Sequence, residues 1–207
     1  MPVSEPNLGE STNVRQMARR LKRKARWLLT VCLATSLFCY YRYWQMRREN
    51  SQDDVILAAA ARYGVDAALI KAVVWRESWF NPFAVGKAGE IGLMQVSDLA
   101  AHEWADSEGI TFFVSSQLFD PAKNVQAGTW YLRKAIRRYD QADNPIPYAL
   151  ADYNAGRANV LRWLSGAAST NSKAFIDQIG FPTTKHYVTS VMKRYEHYKP
   201  IFPPNPK

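Results

Sequence analysis

The sequence predicts a mainly α-helical domain preceded by one transmembrane helix, and three observations carry that reading. From Asp53 onward apolar residues recur at helical spacing, with no β-type alternation of useful length and no internal repeat. Caps and breakers punctuate this region: Asp66, Asp120-Pro121, Gly156, Gly166 and Gly180-Phe181-Pro182. Ahead of it, a charge-free run from Trp27 to Tyr41 follows seven basic residues, Arg15, Arg19, Arg20, Lys22, Arg23, Lys24 and Arg26.

The N-terminal segments divide as a basic cytoplasmic tail over 1–26, a signal anchor over 27–44 and a linker over 45–54. Fifteen helical residues span only about 22 Å, short of a hydrocarbon core near 30 Å. The interfacial aromatics Trp27, Tyr40, Tyr41, Tyr43 and Trp44, with Arg42 able to snorkel, extend the reach. A cleaved secretory signal is the competing reading, but no A-x-A-like site follows, and Phe38 before Cys39 is too bulky for lipoprotein-type cleavage. Seven basic residues before the segment against Arg42, Arg47 and Arg48 after it predict a single-pass membrane protein with its N-terminus in the cytoplasm and residues 51–207 exported.

In the exported part a first helix is expected over Asp53–Arg62, stopped at Gly64. Asp66 caps a second, whose Leu69, Ile70, Val73 and Val74 form one apolar stripe. Asp120-Pro121 opens another, with Val125, Leu132, Ile136 and Tyr139 on its buried side and Gly128 allowing close approach of a neighbour. Further helices are expected at 147–155, 157–165, 172–178 and 184–198. Residues 82–97 and 105–119 are ambiguous, and Ile110–Val114 reads as a short strand or a buried loop. The folded domain is placed at 55–200, with a tail over 201–207.

Composition excludes several functions. The chain of 207 residues carries a net charge of +9, but residues 1–50 hold ten Lys/Arg against three Asp/Glu, and the rest seventeen against fifteen. The basic excess is N-terminal, so the exported part has no electrostatic case for nucleic acid. Both cysteines, Cys32 and Cys39, lie in the apolar run, which leaves the domain without disulfide, zinc or thiol chemistry. His102, His186 and His197 are scattered without metal-ligand spacing, so no metal is expected.

One residue breaks the helical pattern. Glu77 falls four residues after Val73 and three after Val74, on the stripe that enters the core. Desolvation there raises a carboxyl pKa, as a general acid needs near neutrality. The alternative is an ordinary helix-end glutamate paired with Arg76 or with backbone N–H groups of the next loop.

The segment from Glu77-Ser78-Trp79-Phe80-Asn81-Pro82 through Gly92-Leu93-Met94-Gln95 resembles lytic transglycosylases of the soluble-transglycosylase type, relatives of goose-type lysozyme. Later segments match in the same order: Asp120-Pro121, Asn124, Gly128 and Tyr131-Leu132, then Ala149 to Gly156 with its Tyr153-Asn154-Ala155, then Tyr187-Val188. The resemblance covers about residues 55–200 and, with the exported topology, implies a single pass through a bacterial inner membrane with the domain in the periplasm. It implies a lysozyme-like helical domain that cleaves the β-1,4 bond of peptidoglycan glycan strands after N-acetylmuramic acid, with Glu77 as single acid and base and a 1,6-anhydro product. No cofactor is implied, because the reaction needs only proton transfer and charge stabilisation.

Roles follow for the neighbours. Ser78 and Gln95 are candidates to hydrogen-bond Glu77 or an acetamido group, and Gly92 to let backbone approach the sugar or the glutamate. Met94 is expected to line the groove, and Tyr153 and Tyr187 to offer a hydroxyl near the carboxylate or a face for a sugar. Asn154 either contacts substrate or caps its helix beside Gly156. Trp79, Phe80 and Trp104 wall the groove or fill the core.

Two departures stand out. Gly86 and Glu90 occupy positions where many relatives have serine and alanine, and Thr183-Thr184 stands where many have Glu-Thr. Glu90 either lies solvated on the loop or reaches the glycosidic carbon, which would favour hydrolysis as in a muramidase. A non-catalytic peptidoglycan-binding module is the remaining alternative.

Overall fold

A computed structural model describes residues 8–202, with side chains from residue 17 on except at 18 and 25. Residues 1–7 of the expected basic tail, the side chain of Arg15, and residues 203–207 of the expected C-terminal tail lie outside that description. The described residues form nine α-helices and two short 3-10 turns, and they divide into two compact units between Arg47 and Arg48.

The first unit is the body of α1 (Leu8–Asn50), one uninterrupted helix through the segment expected to span a membrane. Every residue from 27 to 44 is exposed. Thr30 and Thr35 return their hydroxyls to the carbonyls of Arg26 and Val31 at 2.8 and 3.0 Å, so neither leaves a bare polar group in the apolar stretch. Among the described residues no helix is long and apolar enough to cross a membrane. The charge-free run ends at Tyr41, and Arg42, Tyr43 and Trp44 beyond it are charged or amphipathic. The transmembrane helix expected over 27–44 is thus helical but falls short in apolar length.

The second unit begins with the last residues of α1. Helix α2 (Asp53–Tyr63) carries two aspartates in its first turn, where the helix dipole favours them, and ends on Gly64 at φ +64°. In α3 (Ala67–Ser78) Asp66 accepts a cap hydrogen bond from Ala68 N at 2.8 Å, and every residue from Ala67 to Val74 is buried. That helix packs against α9 (Pro182–Tyr198) and α2. Around it, α5 (Pro121–Arg138) contacts α2, α4 (Asp98–Ser107) and α6 (Ile146–Ala155), and α6 in turn contacts α9. Two short helices, α7 (Arg157–Trp163) and α8 (Ser172–Gln178), close the side of α6.

Three features differ from the sequence reading. Helix α4 has no predicted counterpart; Ser97 caps it from Ala100 N at 3.3 Å, and only Ala100, Ala101, Trp104 and Ala105 are buried. Ile110–Val114 is neither strand nor buried loop: it is irregular and largely exposed, with Phe113 edge-on to Trp104 at 5.9 Å. Residues 82–97 form a loop folded on itself by isolated bridges, Val85 with Ile91 and Ile91 with Val96.

A buried lysine joins the two ends of this unit. Lys71, 3% exposed, donates to Asp53 Oδ1 at 2.6 Å and Asn50 Oδ1 at 3.1 Å, and its ammonium lies 4.2 Å from the Phe202 ring centre. Tyr198 donates to Glu49 from the end of α9.

Candidate active site

Glu77 sits in the last turn of α3. The helix stops immediately after it, because Trp79 and Phe80 both take left-handed conformations, φ +52° and +60°, although neither is glycine. Gln95, at φ +47°, is the third non-glycine residue of this kind among the described residues, and it faces the same cleft. Such conformations cost roughly 1 kcal/mol or more each and persist where the surroundings dictate them. Phe80 is held by burial in the core; Trp79 is 54% exposed and lies against Trp75 at 5.4 Å.

The cleft has a volume of about 400 Å³, and its walls include Glu77, Glu90, Gln95, Tyr131, Tyr153 and Asn154. Tyr187, buried on α9, donates to Glu77 Oε1 at 2.5 Å. Desolvation pushes the half-buried Glu77 carboxyl up to about 7; the Tyr187 hydrogen bond and the Arg76 charge pull it down, and Glu90 adds to the rise. Tyr187 and Tyr153 are themselves held well above the ordinary tyrosine range by burial and by the Glu77 charge, so both remain hydroxyl donors. With Oε1 occupied by Tyr187, the proton of Glu77 belongs on Oε2.

The other expected residues fall into two groups. Gln95, Tyr153, Asn154 and Glu90 share the cleft with Glu77. Gln95 Nε2 donates to Gly92 O at 3.0 Å and Ala84 O at 3.2 Å rather than to the acid. Tyr153 donates to Met94 O at 2.8 Å. Asn154 Oδ1 accepts from Thr184 at 2.9 Å, so Thr184 orients the amide. Glu90 is only partly solvated, because its side chain folds back over its own turn.

Ser78, Gly92 and Met94 act from behind the wall. The Ser78 hydroxyl donates to Leu93 O at 2.8 Å and Val74 O at 3.2 Å, which ties the loop to α3 instead of touching Glu77. Gly92, at φ +77°, makes room for Asn124: a Cβ there would lie 2.2 Å from Asn124 Nδ2 and 2.7 Å from Leu118 O. Met94 is a fully buried core residue rather than a groove lining, and it fills the notch at Gly128, where a Cβ would meet its Sδ at 2.6 Å. Phe80 and Trp104 are core residues, and Trp104 donates to Tyr63 at 2.9 Å.

Two contributors carry no role in the sequence reading. Asn124, fully buried, donates to Ile91 O at 2.7 Å and Leu118 O at 2.9 Å and accepts from Met94 N at 2.8 Å, pinning the loop behind the cleft. Asp152, also in the cleft wall, is held from behind by Arg138 at 3.0 Å and Tyr139 at 2.9 Å. The Asp120-Pro121 cap foretells the helix that carries Asn124, but nothing in the local pattern foretells its three bonds.

A helical domain with a desolvated carboxyl that no cation among the described residues pairs with directly, on the wall of a polar cleft and backed by tyrosines, is lysozyme-like. The chain belongs to the family described as the transglycosylase SLT domain, whose pattern matches residues 54–176. It is 40% identical over 125 residues to a membrane-bound lytic murein transglycosylase C of Shigella sonnei, covering 58% of this chain and 35% of that protein. To the protein of that name from Klebsiella pneumoniae it is 38% identical over 151 residues, covering 68% and 42%. The 70 kDa soluble lytic transglycosylase of Escherichia coli superposes with a TM-score of 0.65 at 27% identity, over 73% of this chain and 24% of that one. The chain therefore spans well under half the length of these relatives.

Proposed function

We propose that the protein is a peptidoglycan lytic transglycosylase that cleaves between N-acetylmuramic acid and N-acetylglucosamine, with Glu77 as its single acid and base. The observation that carries this is the Glu77 carboxyl, desolvated on the cleft wall, bonded to Tyr187 through one oxygen and raised to about 7. Near neutrality such a group both gives and takes a proton readily.

The steps balance without water. Glu77 Oε2 transfers its proton to the bridging oxygen, the bond from that oxygen to C1 of the muramyl residue breaks, and positive charge develops at C1. The carboxylate left behind is stabilised by the Tyr187 hydroxyl and stabilises the sugar cation. It then takes the proton of the same sugar's primary hydroxyl as that oxygen bonds to C1, closing the 1,6-anhydro ring. The nucleophile is tethered to the electrophile, so a second catalytic carboxylate is unnecessary. Gln95 and Asn154, fixed by their own hydrogen bonds in the cleft, are placed to read acetamido or hydroxyl groups.

Residues 27–44 are read as a single-pass inner-membrane anchor that leaves the catalytic domain on the periplasmic side. Large apolar and aromatic side chains such as Leu29, Leu33, Leu37, Phe38 and Tyr40 are exposed along this part of α1, a surface that calls for an apolar phase around it. Its short apolar length is met by interfacial aromatics at both ends and by local bilayer thinning.

Mass analysis of murein digested by the purified protein tests the enzymatic reading. Anhydro-ended muropeptides are expected, with activity reduced by about a thousandfold or more in Glu77→Gln. Reducing ends would instead mark a hydrolytic muramidase, a reading that Glu90 in the cleft favours, and equal turnover by wild type and variant would remove Glu77 from the chemistry.

A further inference from the structure

Glu90 lies thirteen residues beyond the acid, on a turn closed by Gly86 N donating to Glu90 O at 2.7 Å. Its carboxylate folds inward over this turn, and Oε2 accepts from Ala88 N at 3.1 Å. The space it occupies exists because residue 86 has no side chain: a Cβ there would stand 2.3 Å from Glu90 Oε2 and 2.8 Å from Gln95 Oε1. Gly86 is not among the glycines with positive φ, so its backbone would accept other residues. A side chain at 86 would instead have to displace the end of the Glu90 side chain and that of Gln95 beside it.

The seat shares the cleft of the acid. Glu77 and Glu90 line one cleft, and no Lys or Arg is among its lining residues. Asp152 in the same wall is neutralised from behind by Arg138, and among the described residues no cation pairs with Glu90. The other groups around Glu77 are Arg76 beside it on α3, Tyr187 on α9 and Tyr153 on α6. Of these only Arg76 carries charge near neutrality, and it opposes Glu90. A glycan filling the cleft would exclude water and strengthen the field between the two carboxyls.

We propose that Glu90, seated in the notch left by Gly86, is a positioning residue that helps hold Glu77 protonated across the cleft, so that positions 86 and 90 act as one unit. The Glu90 charge disfavours ionised Glu77, in keeping with its contribution to the raised pKa. Added to the larger effect of desolvation, it helps keep the acid loaded until the glycosidic oxygen takes the proton. This deepens the reading of Glu77 as the acid and rests on it.

The test is a carbon-13 carboxyl NMR titration of Glu77 in the full chain at low salt, a readout that needs no turnover. Wild type, Glu90→Gln, Glu90→Ala, Gly86→Ala and the double variant Gly86→Ala/Glu90→Ala are compared. In both Glu90 variants the midpoint is expected to fall, and in the kinetic profile the loss of kcat is expected to begin at lower pH. Gly86→Ala is expected to lower the midpoint by unseating the carboxylate, and the double variant to titrate like Glu90→Ala alone. A midpoint unmoved by Glu90→Gln, or additive effects at 86 and 90, overturns the proposal even if the protein is an active transglycosylase. A wild-type protein without turnover whose midpoint still moves as expected would instead defeat the catalytic reading and leave the coupling standing. If Gly86→Ala fails to fold, the two Glu90 variants decide alone.

Discussion

At the scale of single residues, Glu77 trades stability for chemistry. Its folded-state pKa of about 7 lies above the ordinary 4.5, so the folded protein holds this proton more tightly than the unfolded chain. The resulting stabilisation is fully present below about pH 4.5 and is lost as pH rises through 7. By pH 8 the ionised, half-buried carboxylate costs about 3 kcal/mol relative to an unfolded reference, since a tenfold difference in proton affinity is worth about 1.4 kcal/mol. Glu77→Gln, which keeps the shape and cannot ionise, is therefore expected to match wild type in denaturant melts at pH 4 and to exceed it by a few kcal/mol at pH 8. Equal stability at both pH values would mean that Glu77 is solvated. The same ionisation is expected to end activity as pH rises through about 7.

At the scale of elements, the loop 82–97 is the least regular part of the site wall and the most dependent on one side chain. Asn124 at the start of α5 accepts from the Met94 amide, donates to Leu118 O outside the loop, and adds a second hydrogen bond to Ile91 O, which Val96 N already reaches within the loop. Asn124→Ala would leave the Met94 amide and the Leu118 carbonyl without that partner, at about 2–4 kcal/mol for the pair, while Ile91 O keeps Val96 N. Hydrogen exchange is expected to accelerate at the Met94 amide and its neighbours in the loop while α3 and α9 stay protected; uniform acceleration across the domain would show that Asn124 supports the whole fold instead. The sequence announced α2, α3 and α5 well, because Gly64, Asp66 and Asp120-Pro121 act through contacts with their immediate neighbours. It announced this loop poorly, because Asn124 and Gly92 meet across more than thirty residues of chain.

At the scale of the whole molecule, the folded domain reaches back into α1. Glu49 accepts from Tyr198, and Asn50 and Asp53 share the buried ammonium of Lys71. A chain beginning at Arg48 keeps all of these contacts, whereas one beginning at Asp53 loses Glu49 and Asn50. The shorter chain is expected to be less stable by about 1–3 kcal/mol in urea unfolding, given the worth of hydrogen bonds to charged groups. In detergent phase separation the full chain is expected in the detergent phase and the chain from Arg48 in the aqueous phase. Aqueous partitioning of the full chain would contradict the anchor.

The sequence by itself determined the helical class, most helix boundaries and the singular position of Glu77, because periodicity, caps and an acid on an apolar stripe are local properties. Only the tertiary structure decided which neighbours face that acid. It turned Ser78, Gly92 and Met94 into supports behind the wall, brought Tyr187 onto Glu77 from 110 residues away, and seated Glu90 in the gap at Gly86. The physical reason is that hydrogen bonds and close packing depend on distances across the core, and residue spacing along a helix or a loop does not contain them.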